Sequence, residues 1–386
     1  MNSPRDRYKS SYLERLKANV ARYTPADKEA LLAFRRAMYG ASSVYSDPAY
    51  IEWLFERPPG ADKNGPSLWI YRSEGNIEGQ QGAIPVTLHV NGVERPAVWA
   101  LDLMVSPKLR TRGIGPVLDN VAFEKEEIIL GIEVSQAARS NYLRAGWVDA
   151  GIVPLYTRPL LARATLERFS GIDLGGPLGA VADVSVRAAD AILGKVSQIS
   201  GLRCEEVGAF DERAARLWGK TASSMPIAVA RDLPYLEWRY NQYPKEGRYR
   251  ILYFLRAGEL RAWVVTRVGK RNGLGEGFLI DFAGSPEDLW CAFAQCIARF
   301  QDEGLAVVYC LKTRSAVGVV LRALGFLKRD SGWRLMARVP PGDATLKDLF
   351  SNQSNWFITF GDCDADRPRE GTTYAADQRM SPESAL

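Results

Sequence analysis

The feature that most constrains this chain is an internal repeat: three short segments recur in the same order, at offsets of 185, 179 and 179 residues. Self-similarity of this kind predicts repeated copies of one structural unit, and so large an offset makes each copy a domain. The sequence therefore predicts two tandem copies of one fold, with two unrelated α/β domains as the alternative. The matching segments are YIEW at 50–53 and YLEW at 235–238, LDL at 101–103 and IDF at 280–282, and LRAGW at 143–147 and RALGF at 322–326.

Each copy alternates helical and strand patterns, which is typical of an α/β fold. In the first copy the apolar spacing predicts a helix over 26–39 and strands over 68–73, 80–90 and 97–105. Asn91-Gly92 favours a type I′ hairpin turn between two of those strands. We expect each copy to be a twisted, mostly antiparallel mixed sheet flanked by helices. The predicted boundaries are a catalytic domain over 1–157, a helical linker over 158–200, a degenerate second domain over 201–340 and a partly disordered C-terminal extension over 341–386.

Composition excludes several classes of protein. The 50 basic and 45 acidic residues nearly balance, so nucleic acid is not expected as a partner. Five scattered cysteines and a charged N-terminus without an apolar stretch favour a reducing, cytoplasmic compartment and no membrane span. His89 is the one histidine, and it is expected at the surface. The alternating aspartates at 362, 364 and 366 lack the glycine and glutamate of a calcium loop, so no metal is predicted.

The segment with the clearest chemical meaning is Val105-Ser-Pro-Lys-Leu-Arg-Thr-Arg-Gly-Ile-Gly115. A predicted strand ends there, a loop with two glycines and three cations follows, and a helix begins. Backbone N–H groups at such a helix start can converge on an anion, and glycine allows the ligand a close approach. The loop therefore predicts a site for a diphosphate, although a plain strand-to-helix turn with solvated cations has the same pattern.

This loop resembles the first motif of the GNAT superfamily of N-acetyltransferases, with Arg110, Gly113 and Gly115 on its diagnostic positions. Thr111 stands where a glycine is common. The family's later motif, N-x-x-A-x-x-x-Y-x-x-x-G-F, matches Ala138, Tyr142 and Gly146, but Ser135 replaces its asparagine and Trp147 its phenylalanine. The resemblance covers 45–157 well, and 202–339 only through the internal repeat.

The resemblance implies an acyl-CoA-dependent N-acyltransferase whose co-substrate is acetyl-CoA or another acyl-CoA. Its pantetheine would lie between two splayed strands, and its diphosphate would meet the amides of 110–115. The acceptor would be a small-molecule primary amine; a loose likeness to proteins of bacterial polysaccharide synthesis suggests an amino sugar or glycan precursor. A homodimer is left open. The expected cofactor-binding residues are Met104, Val105, Arg110, Thr111, Arg112, Gly113, Ile114, Gly115 and Ser135.

In this family acyl transfer is direct attack by the amine, and Tyr142 is implied as the acid that protonates the departing thiolate. Asp102 is the first candidate for a base, since a carboxylate in the middle of an apolar strand needs a reason. Its recurrence as Asp281 favours a structural role instead. Glu133 on the next strand is the second candidate.

The second copy is predicted to lack a donor site. Leu289 replaces Arg110 and Leu321 replaces Tyr142, and Glu287-Asp288 would repel a diphosphate. Two other hypotheses remain at this stage: a FemAB-like aminoacyl transferase that takes its donor from tRNA, and a non-catalytic binding protein with a relic fold. An acyl carrier protein could also replace CoA as donor.

Overall fold

The computed structural model describes residues 4–61, 65–161, 176–245, 248–271, 273–313, 315–364 and 366. Within this part of the chain, helices and strands alternate much as predicted. The helices of the first half are α1 (Pro4–Lys17), α2 (Lys28–Tyr39), α3 (Pro48–Phe55), α4 (Ile114–Ala122) and α5 (Gln136–Arg144). Its strands are β1 (Val20–Arg22), β2 (Leu68–Ser73), β3 (Asn76–Val90), β4 (Val93–Val105), β5 (Ile129–Gly131) and β6 (Val148–Pro159).

A long helix, α6 (Gly176–Ile199), leads into the second half; the rest of the predicted linker, 162–175, lies outside the described residues. The later helices are α7 (Glu212–Ala222), α8 (Leu233–Leu236), α9 (Pro286–Asp302), α10 (Ser315–Ala323) and α11 (Ala344–Ser351). The strands are β7 (Arg203–Val207), β8 (Ile227–Val229), β9 (Arg250–Arg256), β10 (Glu259–Arg271), β11 (Leu274–Gly284), β12 (Val307–Leu311), β13 (Leu327–Arg338) and β14 (Trp356–Phe357).

The strands form one continuous sheet, with the strands of the first half at one end and those of the second half at the other. It runs β1-β2-β3-β4-β5-β13-β6-β12-β11-β10-β9-β7, while β8 pairs with β3 and β14. β4–β5, β11–β12 and β8–β14 are parallel, and the other pairs are antiparallel. The predicted fold class, a mixed α/β architecture with a mostly antiparallel sheet flanked by helices, is confirmed.

Two strands cross between the halves of the sheet. β6 lies between β13 and β12, and β13 lies between β5 and β6. Each half therefore receives its last strand from the other half. The predicted boundaries at 157 and 201 stay a prediction, since hydrogen bonds of the sheet join both sides of them.

The repeated YIEW and YLEW segments meet in space. The indole N–H of Trp53 donates to the carbonyl of Trp238, and that of Trp238 donates to the carbonyl of Trp53, both at 2.8 Å. The two rings stack with centroids 5.2 Å apart, and both residues are buried. A buried indole N–H needs an acceptor, and here each tryptophan supplies it to the other.

Helix α4 is positioned by two apolar faces. Ile114, Val117 and Leu118 pack in a cluster with Leu16 of α1. Ala122, together with Phe123 just beyond the helix, packs in a second cluster with Trp147. This second cluster places α5, which carries Tyr142, beside α4.

The hairpin between β3 and β4 forms as predicted. Asn91 and Gly92 have φ values of 48° and 81°, the left-handed pair that a type I′ turn requires. Its formation aligns β3 with β4 over most of their lengths, so β4 is held firmly along one edge. The other edge of β4 is where the sheet opens.

Candidate donor site

A gap opens between β4 and β5. The two strands pair only at Val98–Ile129 and Trp99–Leu130, although β4 continues to Val105. Along its other edge β4 carries a bulge, since Gly82 pairs with Leu101 but Gln80 pairs with Met104. A bulge bends its strand and increases the local twist, which turns the end of β4 away from β5.

The loop after β4 presents an uncapped helix start to this gap. Pro107–Arg112 form a 3₁₀ turn, and Gly113 then takes a left-handed conformation (φ 74°) as the N-cap of α4. No side-chain oxygen caps the helix. The first N–H groups of a helix have no acceptor inside the helix, and they carry its partial positive charge. These amides suit an anion from outside the chain.

The two glycines of the loop leave room for such a ligand. A Cβ built on Gly113 would have no atom within 4 Å, and one on Gly115 would meet only a methyl of Leu103, at 3.9 Å. Gly113 is needed for its positive φ. Gly115 has no such backbone constraint, and the space left by its missing side chain is available to a ligand.

The cationic side chains of the loop differ in their partners. Lys108 pairs with Glu78 at 2.6 Å, whereas the exposed Arg110 donates from Nε to the carbonyl of Val105 at 3.3 Å. The hydroxyl of Tyr12 in α1 donates to the carbonyl of Arg112 at 3.0 Å, which ties the loop to the N-terminal helix. The guanidinium groups of Arg110 and Arg112 thus lie on an exposed rim beside the uncapped amides.

The other predicted donor-site residues lie at or near the same gap. Met104 and Val105, at the end of β4, and Ile114 and Gly115, at the start of α4, are half-buried or buried, and Thr111 is exposed. Ser135 caps α5: its hydroxyl accepts from the amide of Ala138 at 3.2 Å.

Tyr142 lies on α5 with its ring stacked on Trp147, at a centroid distance of 4.2 Å and an angle of 9°. Burial raises the pKa of its hydroxyl well above the usual value, and the nearby charge of Asp119 raises it further. The phenol therefore stays protonated at neutral pH, as a proton donor to a thiolate must.

The two predicted bases both take unusual backbone conformations. Asp102 has φ 54° and Glu133 has φ 60°, values that non-glycine residues adopt rarely and that cluster at functional sites. Asp102 lies in the bulge, and its buried carboxylate is 3.1 Å from Arg35 and accepts from the hydroxyl of Tyr39 at 2.8 Å. Both of its oxygens are thus engaged by the α2 helix.

One partly buried acidic residue of α4 was missed by sequence reasoning. Asp119 lies in α4, one turn after Gly115, and its Oδ1 is buried without a hydrogen-bond partner among the described residues. Burial raises the pKa of this carboxyl to about 6, and the charge of Arg338 only partly opposes that shift. In sequence Asp119 looks like one solvated acid on an amphipathic helix.

The corresponding helix start in the second half is closed. Ser285 caps α9 by accepting from the amide of Asp288 at 3.1 Å, and its hydroxyl bonds back to that carboxylate at 2.9 Å. Asp288 itself is buried between Arg256 and Arg261. The predicted acidic start is therefore present, and the amide of Asp288 already has a side-chain acceptor.

A C-terminal segment, 358–364, fills the gap between β11 and β12. The amide of Gly361 donates to the carbonyl of Ile280 in β11 at 3.1 Å, and Thr359 forms an isolated antiparallel β-bridge with Lys312, just after β12. Phe360 is fully buried between Phe278 and Trp333. This segment, called the strap below, occupies in the second half the position that is open in the first.

Buried ion pairs anchor the strap. Arg231 lies between Asp281 (3.2 Å) and Asp362 (2.6 Å), and all three side chains are fully buried. Asp366 pairs with Arg248 and Arg267. Nowhere in the described ranges do His, Cys, Asp and Glu side chains gather as a metal ion would require. The C-terminal residues 367–386, predicted to be partly disordered, lie outside the described residues.

None of the helices in the described part of the chain combines the length and apolar character that a bilayer span needs. His89, expected at the surface, is half-buried on β3 with Nε2 3.8 Å from Glu94. It lies at the hairpin end of β3, away from the loop after β4, and contributes nothing to the gap.

Several solved structures share this fold. A GCN5-related N-acetyltransferase from Anabaena variabilis has a TM-score of 0.59 at 12% identity, over 86% of this chain and 74% of that one. A second, from Kribbella flavida, has a TM-score of 0.56 at 12% identity, over 82% and 71%. N-myristoyltransferase from Saccharomyces cerevisiae with bound myristoyl-CoA has a TM-score of 0.55 at 14% identity, over 83% and 79%. No protein-family model and no curated protein matches the sequence. Likeness at such low identity shows the fold alone.

Proposed function

Because this chain has the fold of the GCN5-related N-acetyltransferases, we propose that it is an acyl-CoA-dependent N-acyltransferase with one donor site, between β4 and β5. The observation that carries the proposal is the contrast between two helix starts. α4 begins at Gly113 with no side-chain cap and open space around it, whereas α9 is capped by Ser285 and has acidic residues in its first turn. Only the first start is built to receive an anion from outside.

In this proposal the diphosphate of CoA binds the amides of Gly113, Ile114 and Gly115. Arg110 and Arg112 supply the counter-charge at the exposed rim. The pantetheine arm enters the gap along β4, where Leu103 is 39% exposed although it is a large apolar residue. An exposed leucine at the mouth of a gap is the contact that a mostly apolar arm would cover.

The reaction is direct attack of a primary amine on the thioester carbonyl. An N–C bond forms, the C–S bond breaks, and the departing thiolate takes the phenolic proton of Tyr142, which the phenolate regains from solvent after product release. We assign Asp102 to holding the bulge, because Arg35 and Tyr39 engage its carboxylate. Glu133, half-buried at the other edge of the gap, is then the proposed acceptor of the amine's proton. For the acceptor itself we keep a small-molecule amine, with an amino sugar or glycan precursor as the first class to test.

The test is isothermal titration of the whole chain with CoA, acetyl-CoA and myristoyl-CoA. We expect binding with one site per chain, lost by at least about 100-fold in Gly115→Asp. A second anion near 4 Å from a phosphate costs several kcal/mol even at an effective dielectric constant of about 20. The same substitution adds an acid to the first turn of α4, which favours the free helix, so misfolding is not the expected cause.

The matched control is Gly208→Asp, an exposed glycine just ahead of α7 with nothing within 4 Å of a built Cβ. It adds the same charge and should bind CoA like the natural chain. Undiminished CoA binding by Gly115→Asp, or no binding by the natural chain, would refute the proposed donor site.

A further inference from the structure

Asp119 lies on the face of α4 that packs toward α5. It is three residues before Ala122, and residues three or four apart share a helix face. Ala122 packs in the same apolar cluster as Trp147 and Tyr142, while Ile114, Val117 and Leu118 of α4 pack on α1. The carboxyl group of Asp119 is therefore directed toward α5 and not toward solvent.

The charge of the Asp119 carboxylate is only partly offset by the groups around it. Oδ1 is inaccessible to water and has no hydrogen-bond partner among the described residues. The titratable or charged groups that face it are Tyr142 from α5 and Arg338 from β13. Arg338 donates from Nη2 to the carbonyls of Phe123 and Glu126, at 2.8 and 2.9 Å, so its guanidinium is held at the end of α4.

We infer that Asp119 is a positioning residue that controls Tyr142 through its own charge: the neutral carboxyl leaves Tyr142 able to act as an acid, and the carboxylate suppresses that acidity. The inference rests on the proposed function, in which Tyr142 protonates the departing thiolate. In this scheme Asp119 acts through Tyr142 and has no contact of its own with the donor.

The direction in which pH changes the acidity of Tyr142 follows from the pKa shifts of Asp119 and Tyr142. Burial raises the pKa of Asp119 to about 6, so the group changes charge close to neutral pH. After burial itself, the charge of Asp119 is what raises the pKa of the Tyr142 hydroxyl. Tyr142 is thus the better acid below pH 6 and the poorer acid above it. A CoA diphosphate bound one turn away at Gly115 adds negative charge and shifts the Asp119 transition to higher pH.

The experiment is an NMR titration of the whole chain with [¹³Cζ]-tyrosine, in which Tyr142→Phe identifies the Tyr142 signal. We expect that signal to show an inflection near pH 6 in the natural chain. In Asp119→Asn the inflection should be lost, and the signal should stay at the low-pH position throughout. Asp149→Asn is the matched control: Asp149 lies on neighbouring β6 and pairs with Arg139 and Arg334, so its substitution should leave the inflection in place.

A natural chain without the inflection, or an Asp119→Asn chain that keeps it, would overturn the inference. Thermal unfolding of Asp119→Asn shows whether the isosteric variant is folded, and Asp119→Glu, which retains a titrating group, should keep an inflection at a shifted pH. Added CoA separates the two proposals. A CoA-induced shift of the Tyr142 signal supports the donor site whatever the pH result, and its absence counts against the donor site alone.

Discussion

Replacing Arg231 with methionine should be among the most damaging single changes to this fold. Arg231 is fully buried, and its guanidinium bonds to Asp281, Asp362 and the carbonyl of Val229. Methionine matches part of its volume but leaves two buried carboxylates without their cation. Removal of one partner from a buried ion network typically costs about 3–5 kcal/mol. That is a large share of the roughly 5–15 kcal/mol by which a protein is stable.

The assay is urea unfolding of Arg231→Met beside Arg213→Met, which breaks an ion pair with Asp211 at an exposed site. The exposed pair should be worth less than about 1 kcal/mol. Burial already raises the pKa of Asp362, and loss of Arg231 removes the main opposing charge. A raised carboxyl pKa means stability that is present at low pH and lost as pH rises, so the deficit of Arg231→Met should shrink in acid. Equal losses in the two variants, or a deficit that grows in acid, would refute the reasoning.

Three further predictions concern the donor site and the contact between the halves. Tyr142→Phe should bind CoA like the natural chain but release CoA thiol at least about 100-fold more slowly with a competent acceptor; unchanged turnover would remove the acid role. Burial raises the pKa of Asp119 from 3.8 to about 6. Its contribution of about 3 kcal/mol to the free energy of unfolding should therefore be present below pH 3.8 and lost as the pH rises through 6. Asp119→Asn should abolish that slope in urea unfolding. Trp53→Phe and Trp238→Phe should each cost about 1–3 kcal/mol by orphaning a buried carbonyl, and a double-mutant cycle should be non-additive.

Local chemistry explains what the sequence predicted well. Asn91-Gly92 and the loop up to Gly115 depend on backbone conformations that few residues adopt, so their positions can be read from residue type. The same holds for the acidic start at Glu287-Asp288, which the structure places in the first turn of α9. These features need no knowledge of distant partners.

Features that depend on distant partners were not predictable. The pattern of β6 indicates a strand, but nothing in it shows that β12 and β13 are its neighbours. The sequence predicted only a partly disordered extension over 341–386, and nothing in it shows that Asp362 pairs with Arg231, more than a hundred residues earlier. Asp119 differs from a solvated helix acid only because α5 and β13 bury it.

Amide hydrogen exchange with and without CoA tests the central claim most directly, because the claim concerns backbone N–H groups. We predict that bound CoA slows exchange in a peptide covering 110–117 and leaves the equivalent peptide at the start of α9, 285–292, unchanged. Protection at α9, or saturating CoA without protection at 110–117, would contradict the account.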